Sequence, residues 1–131
     1  MIRRLRKGEH GQALVEMALV LPLFFLLLFG VIEMGRIGYS YIAVSNAARA
    51  GGRIATIGGS DADITNSINN AAVSLDSASL TITITPLQAH RQSGQAVTVQ
   101  VTYPVQLIIP IISNVIPNPV VVSSSIIMRL E

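Results

Sequence analysis

From Met17 to Ile32 the chain carries no charged side chain. Counted back to Ala13, the stretch gives about 20 residues, or roughly 30 Å as a helix, which is enough to cross a bilayer. A secretory signal has a shorter apolar core followed by small residues at a cleavage site. Here Glu33, Met34, Gly35 and Arg36 come next. Arg3, Arg4, Arg6 and Lys7 precede the run, and basic residues on that side place the N-terminus in the cytoplasm and the rest of the chain outside. Tyr39 and Tyr41 follow the outer end, where aromatic rings favour the interface. The pattern predicts one membrane-spanning helix with most of the chain beyond it.

That run accounts for much of the 50% apolar content, so the remainder reads as an ordinary small module. A chain of 131 residues has room for one domain of this kind. The four basic residues before position 12 are opposed by Glu9 alone. After it, five basic side chains face six acidic ones, for a sum of −1. The net charge of +2 therefore comes from the N-terminal tail and gives no reason to expect nucleic acid. The chain has no cysteine, which excludes disulfides and thiolate metal sites.

One charge sits inside the front edge of the apolar run. A carboxylate in a spanning segment costs about 2.5 to 3.5 kcal/mol at the helix centre and less near an end. Glu16 has a simple explanation as an interfacial charge at the positive end of the helix. A second explanation comes from the segment "GQALVE", residues 11–16: a glycine, four residues, then the glutamate, behind a basic leader and ahead of the spanning run. That pattern resembles a type IV prepilin processing site, and the resemblance implies a cut after the glycine, which lets a backbone enter a tight protease cleft. A cut between Gly11 and Gln12 creates a cationic α-amine at Gln12. Glu16 can pair with that amine, its own or a neighbouring subunit's, and so offset its own desolvation and set the stagger between subunits.

The longer segments "GQALVE", "LVLPLFFLLLFGVIEMGR" and "AARAGGR" are similar to the start of TadE-like proteins, the minor pilins or pseudopilins of tight-adherence pilus systems. The resemblance implies Gly11 as the last residue of the leader, Gln12 as the mature N-terminus and Glu16 as the assembly glutamate. It implies a structural subunit rather than an enzyme, involved in pilus biogenesis and surface adhesion, with no cofactor and no small-molecule substrate. Its implied partners are a prepilin peptidase, other pilins and the assembly machinery. It places the chain in the bacterial cytoplasmic membrane and then in the pilus or at the cell surface. The alternative is a permanently anchored extracytoplasmic binding module that is neither processed nor assembled.

Three divisions follow: a basic leader at 1–11, the transmembrane half of the N-terminal helix at 12–34, and an extracytoplasmic domain at 35–131 that includes the helix's outer half. The helix is expected from about residue 13 to 50, with Pro22 a possible kink and Gly51 and Gly52 its stop. Ile37, Tyr41, Val44 and Ala48 recur at helical spacing as its inward stripe, and Ala43, Ala47, Ala48, Ala50 and Gly51 permit close packing. "GGSDADITNSINNAAVSL" reads as a loop and a short helix, capped by Ser60 or Asp61, with Ile64, Ile68, Ala71 or Ala72, and Leu75 facing in. "SLTITIT", "AVTVQVTY" and "VVVSSSIIMRLE" alternate as strands. The expected fold is α+β and pilin-like: a long N-terminal helix, its first half spanning the membrane, packed on a small antiparallel sheet of about three strands. Residues 105–119 are very apolar but contain Pro110, Pro117 and Pro119, which exclude a regular central strand. The simpler expectation is a crossover whose isoleucines complete the core; the other is an apolar patch facing a partner.

No catalytic or metal-binding constellation stands out. His10 and His90 are the only histidines, without ligand spacing, and His90 reads as a solvated loop residue. Glu33 and Arg36, one helical turn apart, read as an ion pair at the outer membrane interface or as a contact to a neighbouring subunit.

Overall fold

A computed structural model describes the backbone of residues 6–131 and the side chains of residues 11–131. Arg3 and Arg4, and the side chains of Arg6, Lys7 and His10, lie outside the described residues. Helix α1 spans Arg6–Thr56, α2 spans Asp61–Ala71 and a single helical turn, α3, spans Pro110–Ser113. Strands β1 (Thr81–Thr85), β2 (Ala96–Val105) and β3 (Val120–Arg129) form one antiparallel sheet in the order β1-β2-β3.

The first half of α1 is bare. Side chains from Leu14 to Ile32 are exposed apart from the half-buried Gly30, and the helix is long and apolar enough to cross a membrane. Pro22 lies within the helix without ending it, as spanning helices tolerate. The second half is the spine of the outer domain. Val44, Ala47, Ala48 and Ala55 are fully buried among Ile64 and Ile68 of α2 and Val97, Val99 and Val101 of β2. Tyr41, expected on the inward stripe, is exposed; Ser40 is buried beside that stripe instead.

Gly51 and Gly52 do not stop the helix; α1 continues through both to Thr56. They mark close approach. A Cβ on Gly51 would lie 2.6 Å from Ile68 Cγ1, and one on Gly52 would lie 3.2 Å from Ile126 Cγ2. Adjacent glycines thus admit α2 on one flank and β3 on the other. The stop comes at Gly58, whose φ of +76° suits glycine. Its N–H donates to the Ala55 carbonyl at 3.1 Å, and the Gly59 N–H donates to the Ile54 carbonyl at 3.0 Å.

Helix α2 opens on a capping box. The Asp63 N–H donates to Ser60 Oγ at 3.1 Å, and the Ser60 N–H donates to Asp63 Oδ2, also at 3.1 Å. The Ser60 hydroxyl, with its backbone N–H, holds the Asp63 carboxyl below the usual carboxylate range. Ile64, Ile68 and Ala72 face the core; Ala71 faces out.

In the sheet, alternation places the core face as expected. Ile84 pairs with Val99 and Ile82 with Val101; Val97 pairs with Met128, Val99 with Ile126 and Tyr103 with Val122. Ser124 lies opposite Val101, and there α1 comes close enough for Ser45 Oγ to donate to Ser124 Oγ at 3.3 Å. Pro104 is tolerated in the middle strand because β1 ends at the Thr81–Thr102 pair. Beyond that point β2 has one neighbour, so no second ladder is broken.

The crossover from β2 to β3 differs from the simpler expectation. Leu107 is buried, but Ile108, Ile111 and Val115 are 69%, 61% and 83% exposed. The isoleucines complete no core. The segment instead reaches back along α1 toward its apolar half.

Candidate functional site

Two constellations on α1 stand out. The first is the start of the apolar run. Gly11, Gln12 and Glu16 are helical and exposed, and a Cβ on Gly11 would meet nothing within 4 Å. Four residues along a helix bring side chains onto one face, so Gln12 Nε2 donates to Glu16 Oε1 at 3.2 Å. The Glu16 carboxylate is thereby held by the Gln12 side-chain amide, with no other described side chain hydrogen-bonded to it.

The second is built around Glu33, which is only 2% exposed. Arg36, one turn on, donates from Nη1 to Glu33 Oε2 at 2.6 Å. The other carboxylate oxygen, Oε1, accepts the backbone N–H groups of Ile108 at 2.6 Å and Ile109 at 3.1 Å. Arg36 Nη2 also donates to the Gln106 carbonyl at 3.2 Å. One carboxylate and one guanidinium thus fasten the crossover to the helix from both sides. Burying a carboxylate is costly unless the geometry of its partners is good; here it receives three donors. Charge-assisted bonds of this kind contribute about 1.5 to 3 kcal/mol each.

Sequence reasoning places Glu33 and Arg36 together but misses the amides of Ile108 and Ile109. They are 75 and 76 residues away, and backbone groups leave no residue-type signal. It also misses a second clamp, at the start of α2. Arg91, whose side chain is 5% exposed, pairs with Asp61 and donates to the carbonyls of Pro86 and Gly59, both at 3.0 Å. The Gln88 N–H donates to Asp61 Oδ2 at 3.2 Å. These contacts tie the β1–β2 loop to the start of α2. His90 is exposed in that loop, on the short turn Gln88–His90. Among the described residues, no three His, Asp or Glu side chains gather as metal ligands would.

Two cavities border α1. An open cleft of about 610 Å³ lies between Arg36, Tyr39, Asp76 and Tyr103. A groove of about 320 Å³, almost wholly apolar, lies between Leu26, Gly30 and Met34 of α1 and Ile111, Ile112 and Ile116 of the crossover.

A bare apolar half-helix continued by a half packed on a three-stranded antiparallel sheet defines a pilin-like α+β protein. Within that class, residues 11–53 form a TadE-like family domain, matching the family described as TadE-like protein. The match begins at Gly11 and ends one residue past Gly52, so it covers the apolar run, Glu33, Arg36 and the two packing glycines. It points to a protein associated with Tad pili. Comparison with curated proteins and with solved structures returns no match.

Proposed function

We propose that the chain is a minor pilin of a Tad-type, type IV-like pilus. It is inserted in the bacterial cytoplasmic membrane through α1, with its N-terminus in the cytoplasm and residues 35–131 outside. A prepilin peptidase cuts between Gly11 and Gln12, and the matured subunit joins the pilus or its assembly machinery and serves surface adhesion. The observation that carries this reading is the half-helix from Leu14 to Ile32, apolar and largely exposed among the described residues, inside a TadE-like domain. Such a surface needs lipid before assembly and other helices after it. Cleavage would free an α-amine at Gln12, one helical turn before Glu16, and the Gln12 side chain already reaches that carboxylate.

N-terminal sequencing of the protein from peptidase-bearing cells tests this. The expected mature chain begins at Gln12. Gly11→Val leaves the leader charges and apolar run intact, so insertion continues while cleavage stops, seen as a larger species on a gel. A chain that retains Arg3 to Lys7 in those cells is instead a permanently anchored module, and a Val variant that matures normally moves the cut away from Gly11.

A further inference from the structure

The crossover between β2 and β3 is an unusual object: a short, proline-bearing, irregular segment with large apolar side chains turned outward. Ile108, Ile111, Val115 and Ile116 are all exposed. Most of its backbone N–H groups, by contrast, have partners within the chain; that of Ile111 has none among the described residues. The Leu107 N–H donates to Asn118 Oδ1 at 3.0 Å, and those of Ile108 and Ile109 donate to Glu33 Oε1. The N–H groups of Ile112 and Ser113 donate to the Ile109 carbonyl, and those of Val115 and Ile116 to the Ile112 carbonyl. The Asn114 N–H likewise turns back to Ile112. Pro110, Pro117 and Pro119 have no N–H to satisfy. The Ser113 hydroxyl is spent on the Pro110 carbonyl at 2.8 Å. Apolar side chains outside and mostly paired N–H groups inside suit a segment at the edge of the hydrocarbon, where an unpaired polar backbone group costs several kcal/mol unless water still reaches it; the open Ile111 N–H keeps the segment at that edge.

Its position along α1 agrees. The groove beneath it reaches back to Leu26, six residues before the charge-free run ends at Ile32. At 1.5 Å per residue that is about 9 Å inside the apolar stretch, within the 5–10 Å depth of interfacial elements. Arg36, Tyr39 and Tyr41, the cation and aromatics that suit a headgroup layer, follow directly on the helix. The exposed amide of Asn114 limits the depth to that boundary.

We propose that residues 107–116 are a second membrane-contacting element, a wedge seated in the outer leaflet beside α1, with the groove between them occupied by lipid acyl chains. The proposal rests on the reading of α1 as a membrane anchor. Glu33 then acquires a specific role. It is the acceptor that lets irregular backbone enter the bilayer, and the wedge in turn covers its charge.

The chain has no cysteine, so one introduced cysteine carries one spin label. The full-length protein is reconstituted into phosphatidylcholine–phosphatidylglycerol vesicles as Leu23→Cys, Val73→Cys, Ile111→Cys or Val115→Cys, each at an exposed position. Collision with oxygen, which concentrates in lipid, is compared with collision with a water-soluble nickel chelate. Labels at 111 and 115 are expected to favour oxygen severalfold, as at 23, while the label at 73 favours nickel. Labels at 111 and 115 as open to nickel as that at 73, with 23 still in lipid, overturn the wedge and leave the anchor standing. A label at 23 open to nickel overturns the anchor itself. Shielding of 111 and 115 from both reagents, with spin broadening that grows with protein-to-lipid ratio, assigns the patch to a second copy and overturns the lipid assignment.

Discussion

Glu33 and Glu16 are both carboxylates on an apolar helix, and their partners separate their roles. Glu33 is satisfied within the chain by Arg36 and two amides. Glu33→Ala leaves those amides without acceptors, at about 1 to 3 kcal/mol each. Arg36 keeps water, its side chain being 37% exposed, so the lost pair adds less than the 3 to 5 kcal/mol of a fully buried one. Glu33→Gln keeps an acceptor oxygen and loses the charge. Urea unfolding in detergent micelles should rank wild type above Gln above Ala, and coincident curves would remove the clamp from the account. Among the described residues Glu16 meets just the Gln12 side chain, so its removal should leave the stability of the packed domain alone. Glu16→Ala should remain in the membrane and still be cleaved, while the amount recovered in sheared pili, relative to membranes, falls steeply. An α-amine left unpaired in a helix bundle costs several kcal/mol. Wild-type recovery of the Ala variant would return Glu16 to an interfacial charge.

At the scale of elements, the two glycines of "AARAGGR" show what a sequence conceals. Glycine near the end of an apolar pattern ordinarily marks a helix stop, and the pair is equally a site of contact. What decides is Ile68 and Ile126, residues of other elements brought against them. Gly51→Ala gains about 0.5 to 1 kcal/mol of helix propensity but drives a Cβ to 2.6 Å from a fully buried isoleucine, and overpacking costs about 1 to 3 kcal/mol. The net expectation is destabilisation. Gly38→Ala, in the same helix with nothing within 4 Å, should stabilise by about 0.4 to 1 kcal/mol. Paired melting curves test both signs, and a Gly51→Ala variant as stable as Gly38→Ala would deny the close packing. The strands, α2 and its Ser60 cap were legible because each is governed by local periodicity or by a side chain three residues away. The end of α1, the exposure of Tyr41 and the course of residues 105–119 were not. The passage of α1 through Gly51 and Gly52 and the course of the crossover depend on neighbours distant in sequence, and for the crossover that neighbour is Glu33. In the site, the Glu33–Arg36 pair was legible from helical spacing; the amides closing on Glu33 and the Gln12 side-chain bond to Glu16 were not.

The whole molecule divides its apolar surface in two. One share, on α1 from Leu14 to Ile32, is left bare by the other described residues except where Leu26 and Gly30 border the crossover groove. The other is a closed core of Val44, Ala48, Ile64, Ile68, Val97, Val99, Val101 and Leu130, every member of which lies beyond residue 43. A fragment of residues 36–131 therefore keeps the entire core, all three strands, α2 and the Arg91–Asp61 clamp. It loses Glu33, the groove wall contributed by Leu26, Gly30 and Met34, and the hydrocarbon around the wedge. Circular dichroism of the fragment should show helix and strand together and a single cooperative melt. Hydrogen exchange should then divide the molecule along the same line. The amides of Val99 and Val101, in the middle of the sheet and fully buried, stay protected to near the global limit. Those of Ile108 and Ile109, without their acceptor, exchange far faster than in the full-length protein. A non-cooperative melt would mean that the outer domain depends on the anchor. Unchanged protection at Ile108 and Ile109 would mean that the sheet, and not Glu33, holds the crossover in place.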